Sequence, residues 1–188
     1  MARPKSDERR SAIISAAIRV IATQGLGAPT ATIAKEARVS NGSLFTYFET
    51  KADLLNQLYV ELKTEMAAAA LDGLPAESDI RTQMLHMWTH QLRWATSCPG
   101  KRRTLAHLLV SDDITAESHQ TASLALVGVA QLLERSREHG PMRDAPLGFI
   151  VALMSALADA TIDFMIQDPV NADSHCTAAF DALWRMIA

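Results

Sequence analysis

The sequence predicts an all-α protein of about nine helices, with a helix-turn-helix domain at residues 1–51 and a larger helical region at 52–188. Apolar residues recur at helical spacing, as in Ile13, Ile14, Ala17, Ile18 and Ile21. Glycine and proline then punctuate the chain at helix-length intervals: Gly25, Gly73 with Pro75, Pro99 with Gly100, Gly140 with Pro141, and Pro169. No segment shows a convincing strand pattern. At 188 residues and 48% hydrophobic, the chain can bury an ample core, and disorder is excluded as a class.

The elements follow in order. An opening helix runs from Asp7 to about Gln24 and closes at Gly25. A short helix over Ala31 to Ala37 leads into a three-residue turn ending in Ser40, and a second short helix follows. Thr50 caps a long fourth helix to about Leu71, with Asp53 placed as in a capping box. A fifth spans about Glu77 to Ser97, and Pro99-Gly100 opens a sixth to about Val110. A seventh begins at Asp113 or Thr115 and ends at Gly140-Pro141. The eighth runs from about Pro146 to Gln167 and the ninth from about Ala172 to Ile187. Repeats and low-complexity tracts are absent; Ala67 to Ala70 is simply strong helix former.

The segment from Ala31 to Lys51 carries the most functional information. Ile33, Ala34, Ala37, Val39, Leu44 and Phe48 can close a small core, which leaves Asn41, Ser43, Thr46 and Tyr47 facing outward. A helix of that kind is built to enter the DNA major groove. Ser40 reads as its N-cap. Gly42 permits close approach to a phosphate or base, or is merely tolerated near a helix start. Asn41 can read adenine bidentately or bind phosphate. The net charge of −3 divides unevenly: residues 1–51 hold eight Lys/Arg against four Asp/Glu, and the remainder ten against seventeen. Positive charge thus lies where phosphates would be met.

These residues resemble the N-terminal domain of the TetR/AcrR family of bacterial transcriptional repressors. The resemblance covers about Ile13 to Leu55 and is carried by Ile21 to Gly25, Ile33-Ala34, Val39-Ser40, Gly42 to Phe45, Tyr47-Phe48 and Lys51 to Leu55. It implies that Tyr47 and Lys51 contact phosphate, with Thr30 or Thr32 a further phosphate candidate. Three positions depart from the family pattern. Arg38 stands where the turn usually has Gly, in a conformation favouring positive φ; either it compensates by reaching a phosphate or the turn differs slightly. Phe45 replaces the usual Tyr and keeps only van der Waals contact to sugar or a thymine methyl. Pro29 sits where Ser or Thr often caps the second helix, which makes Thr30 the expected local cap.

Beyond residue 75 the resemblance reduces to length and helical content. The eighth predicted helix is apolar on nearly every side and must be covered on all of them. The ninth has a stripe at Cys176, Phe180, Leu183, Trp184 and Ile187. The resemblance implies that both helices join the same pair of a second subunit, so Leu153, Leu157, Phe180, Leu183 and Trp184 are expected at a homodimer interface, with a fully intramolecular core the competing reading. In the fifth helix, Met84, Met87, Trp88 and Leu92 form an apolar side, edged by His86, His90, Gln91 and Trp94. Apolar walls with few polar groups suit a small-molecule pocket. The candidate ligand set is Met84, Trp88, Gln91, Trp94, Met154 and Asp159, with ordinary packing the competing reading. Asp159 and Asp163, four apart, can meet a cationic ligand or pair with an Arg.

His86 and His90 have metal-binding spacing but no evident third ligand, so no metal and no cofactor are expected. Cys98 and Cys176 read as inert buried thiols. Lys101, Arg102 and Arg103 form the one basic cluster of the acidic region, either solvated or meeting Asp112 and Asp113 or DNA. No run of 18 apolar residues occurs and the polar start lacks a signal core, so a cytoplasmic protein without membrane contact is expected. No nucleophile, metal or acid–base set has usable spacing for an enzyme. The expected function is a repressor released from a palindromic operator on double-stranded DNA by an unknown small-molecule effector. The alternative is a ligand-independent dimeric regulator.

Overall fold

The computed structural model describes residues 3–188, with side chains from residue 6 onward, so those of Arg3 and Lys5 lie outside the described residues. Ten α-helices and one 3-10 turn make up the described residues, without a strand. They are α1 (Arg3–Gln24), α2 (Thr30–Glu36), α3 (Asn41–Tyr47), α4 (Lys51–Leu71), α5 (Ile80–Ser97), α6 (Pro99–Leu109), α7 (Ala116–Ala125), α8 (Val127–Arg137), α9 (Leu147–Gln167) and α10 (Ala172–Ile187). The all-α expectation holds, with one helix more than anticipated. The predicted seventh helix is two, because Leu126 leaves helical geometry at φ −92°, ψ 1°. The opening helix also begins before Asp7.

Helix ends follow local chemistry. Gly25 (φ +73°) and Gly73 (φ +66°) take the left-handed backbone that ends α1 and α4. Thr50 Oγ1 accepts from Asp53 N at 3.0 Å, and Asp53 returns a carboxylate oxygen to Glu49 N at 3.0 Å, close to the capping box expected. Helix α5 starts later than Glu77 because Asp79 caps it, accepting from Thr82 N at 2.9 Å.

The chain forms two compact units. Among the described residues, the first comprises 3–63 and 98–123, the second 64–97 and 124–188. In the first, α1 packs on both α2 and α6, and α2 on α3. Its core includes Ile13, Ala17, Ile21, Ile33, Leu44, Phe48, Leu54 and Leu58. Thr104 of α6 donates to Ile18 O at 3.0 Å, which fixes α6 along α1. In the second unit, α5 packs on α8, α9 and α10, and α9 lies along α10. Met84, Met87, Trp88, Leu92, Leu133, Phe180 and Leu183 are buried there. Each fully buried side chain of this size contributes roughly 1.5–3 kcal/mol of hydrophobic stabilisation.

Candidate functional site

The helix-turn-helix is built around one residue in an unusual conformation. Arg38 has φ +58°, and among the described residues it is the one non-glycine with positive φ. Val39 N donates to Ala34 O at 3.0 Å and Arg38 N to Lys35 O at 3.1 Å. That pair of bonds is a Schellman motif, with Arg38 in the position glycine usually holds. The left-handed turn expected at Arg38 is therefore present. It satisfies carbonyls left over at the end of α2 and reverses the chain into α3. The Arg38 side chain is exposed.

Ser40 caps α3, its Oγ accepting from Ser43 N at 3.0 Å. Leu44 and Phe48 are 0% exposed, so α3 is anchored by one face. Asn41, Gly42, Phe45 and Thr46 are exposed, and Ser43 and Tyr47 are half-exposed. Thr46 Oγ1 bonds back to Gly42 O at 3.3 Å, leaving its methyl and part of the hydroxyl outward. A Cβ added at Gly42 would meet nothing within 4 Å, so no contact inside the chain requires glycine there. The arrangement is a short anchored helix whose free face is polar at its N-terminal end, the end that meets base edges when such a helix lies in a major groove.

The flanking positions refine the sequence reading. Thr30 is the first residue of α2 and not its cap. Pro29 holds the cap position at φ −65°, ψ 144°, and its carbonyl accepts from Thr32 N at 3.0 Å. Proline fixes the extended approach and needs no donor there, so no side-chain cap forms. Lys51 Nζ donates to Leu26 O at 2.5 Å, which ties the start of α4 to the α1–α2 loop. An ammonium has three donors, so two remain. Two counted cations are internally engaged: Arg19 with Glu36 at 2.7 Å, and Arg10 with Glu61 and Gln57 while lying over the Phe48 ring.

In the second unit the candidates separate. Met84 and Trp88 are fully buried packing residues, and Trp88 Nε1 donates to Cys176 O at 3.1 Å. Trp94 donates to Glu65 at 2.9 Å, Met154 is buried, Gln91 is half-buried and Asp159 lies on the exposed side of α9. Phe180 and Leu183 are buried within their own unit, with Arg81 of α5 over the Phe180 ring and paired with Asp181 at 2.6 Å. They are thus not exposed interface residues: the apolar stripe of α10 faces α9 and α5 of the same chain. Leu153, Leu157 and Trp184 are half-exposed. Nor is α9 covered on all sides. Ile150, Met154, Ala158, Ile162 and Met165 are buried, whereas Phe149, Ala152, Ala156, Ala160 and Phe164 form an open face at helical spacing.

Cys98 is half-buried rather than buried, and both cysteines are free thiols. Burial pushes the Cys176 thiol pKa up, which keeps it protonated and unreactive. The His86 and His90 rings stack, and His86 Nε2 meets Asp72 O at 2.7 Å. Three features had no sequence signal. Asn56 of α4 donates to Asp113 O at 2.8 Å and accepts from Thr115 N at 2.9 Å, clamping the α6–α7 loop. Arg137, 6% exposed, donates to the carbonyls of Met142, Arg143 and Ala145 and to Glu134. An open cleft lies beside α8 in the second unit.

Comparison with known proteins places these observations. Residues 13–58 match the family described as "Bacterial regulatory proteins, tetR family". A solved structure assigned to tetR family transcription regulators, from Shewanella sp. PV-4, is 26% identical, with a TM-score of 0.84 over 94% of this chain and 96% of that one. A TetR family transcription regulator from Marinobacter aquaeolei VT8 is 22% identical, with a TM-score of 0.81 over 97% and 96%. The fold is also that of a transcriptional regulator FadR from Bacillus subtilis in complex with stearoyl-CoA, at 17% identity and a TM-score of 0.72 over 95% of this chain and all of the other. The match at the helix-turn-helix and the fold shared along almost the whole chain agree: the protein carries the DNA-binding domain of the tetR family of bacterial regulatory proteins on a fold shared with TetR family transcription regulators.

Proposed function

We propose that the protein is a homodimeric repressor that reads a palindromic operator through α3 and releases it when a small molecule binds. The observation carrying this reading is α3 itself, capped by Ser40, anchored by Leu44 and Phe48, and exposing Asn41, Gly42, Phe45 and Thr46. Asn41 and Ser43 are assigned to base edges, with Thr46 and Phe45 meeting bases or a thymine methyl. Thr30, Arg38, Tyr47 and Lys51 are assigned to phosphates, which position the helix without carrying sequence information.

Dimerisation is assigned to the open face of α9 together with the half-exposed Leu153, Leu157 and Trp184. By length and composition α9 could cross a membrane, yet it is one face of a packed helical unit and carries Asp159 and Asp163. Small residues at Ala152, Ala156 and Ala160 allow a second helix to approach closely, so we read α9 as the partner-facing helix of a cytoplasmic protein. Effector response is supported by the fold neighbour carrying stearoyl-CoA. Moving the protein from mostly bound to mostly released requires an effector preference of several kcal/mol between the two states. We read the protein as a non-enzyme without a cofactor.

The competing reading, a ligand-independent dimeric regulator, is favoured by the packed state of Met84 and Trp88. A small-molecule thermal-shift panel beside operator release separates the two: stabilising compounds that also release DNA support effector control, and none doing both supports the alternative.

Base reading is tested by substitution on a selected operator. Asn41→Ala is expected to relax preference at particular base pairs. Lys51→Ala should weaken binding similarly on all sequences and lower the salt slope by about one. Uniform losses from both would overturn the base-reading role of Asn41.

A further inference from the structure

In the second unit, the end of α4, the start of α5 and α8 enclose a cleft of about 650 Å³. Leu71, Leu74, Val127, Ala130 and Leu132 supply apolar wall. Gly128 lets the α8 backbone approach closely, since an added Cβ would stand 2.8 Å from Leu71 Cδ1. A volume of this size suits a small organic molecule.

The polar groups of the cleft are unequal. Gln83 is 3% exposed, and its amide nitrogen is fixed by Ala76 O at 3.1 Å and Ser78 O at 2.7 Å. Its carbonyl oxygen receives Arg135 Nη1 at 3.4 Å, a long contact that a better acceptor would displace. Glu134 would oppose an anion, but both of its oxygens are held by the buried Arg137, at 2.8 and 3.0 Å. That bidentate pairing holds the Glu134 carboxyl below the usual carboxylate range and offsets its charge. Apolar walls therefore end at an exposed guanidinium with a weak internal partner and a neutralised neighbour.

We propose that this cleft binds a small amphipathic carboxylate, its apolar body along α8 and its carboxylate on Arg135. The proposal rests on the reading of the protein as ligand-responsive and names the site and ligand class for it. A guanidinium prefers a carboxylate by paired charged hydrogen bonds, which a neutral head group of the same length forfeits.

Calorimetric titration of the full chain with decanoate and with 1-decanol, at micromolar concentration, tests the site. One decanoate per chain is expected, with decanol at least about tenfold weaker. Arg135→Gln should bring decanoate down to the level of decanol and leave decanol unchanged, whereas Ala130→Phe should weaken both by filling the cleft. Should Ala130→Phe fail to fold, Val127→Asp, at a wall position 45% exposed, should weaken decanoate more than decanol. No saturable decanoate binding, equal affinity for the two probes, or a preference that survives Arg135→Gln overturns the proposal. Operator release is read in parallel. Decanoate bound in the cleft, with no compound of the panel releasing the operator, supports the site and overturns the ligand-response reading. Release by another compound, untouched by Arg135→Gln and Ala130→Phe, with no saturable decanoate binding, overturns the site and keeps that reading.

Discussion

Arg38 occupies a left-handed backbone position, φ +58°, that a side chain makes costly. A non-glycine residue there costs on the order of 1 kcal/mol, part of which Gly would return as greater unfolded-chain entropy. Arg38→Gly is therefore expected to stabilise the first unit by up to about 1 kcal/mol. If the guanidinium meets phosphate, as proposed, the same variant binds operator more weakly while melting higher. Thermal melts beside binding isotherms check this, because simple damage lowers both quantities. Ser40 and Arg38 were legible in the sequence, since cap and turn chemistry acts over a few residues. The capping of α2 was not: Thr30 looked like a cap, but the fixed φ of Pro29 had already set where the helix starts.

Among the elements, α4, α9 and α10 end within a residue or so of where glycine, proline and capping residues put them. The division of α7 from α8 was invisible, because Leu126 has no intrinsic breaking tendency; the close approach of Gly128 to Leu71 is a tertiary feature. The same holds for Arg137, an unremarked surface type in the sequence that closes the loop after α8 by binding three carbonyls. Arg137→Met should destabilise the second unit by about 2–4 kcal/mol, as three part-buried carbonyls and Glu134 lose their donor, and chemical denaturation measures it. The Asp79 cap predicts a pH dependence. Hydrogen bonds from Thr82, first its backbone N–H and then its hydroxyl, hold the Asp79 carboxyl below its ordinary value. A lowered folded pKa gives stability that is complete above the unfolded-chain value and disappears as pH falls through the folded one. Asp79→Ala should accordingly destabilise at neutral pH, and the difference from the parent should vanish in strong acid.

For the whole molecule, the all-α class and the helix-turn-helix were legible, because amphipathic period and turn chemistry are local. The grouping of elements was not. Helix α6 packs back on α1, so the first unit is assembled from two separate stretches of chain. The apolar stripe of α10 likewise could not reveal that Phe180 and Leu183 are used internally, leaving α9 to present the open face. A charge on that face is expected to split a dimer: Phe164→Asp, at a position 59% exposed, should leave helicity intact and yield a monomer by sedimentation. Loss of the second reading head should weaken operator binding by about tenfold or more. The central claim, a two-headed reader built on α3, is tested most directly by selecting binding sites from random DNA and footprinting the best one. The account predicts a palindrome with half-sites about one helical turn, ~35 Å, apart or somewhat more, protected by two chains. An asymmetric site, or no enriched sequence at all, would contradict it.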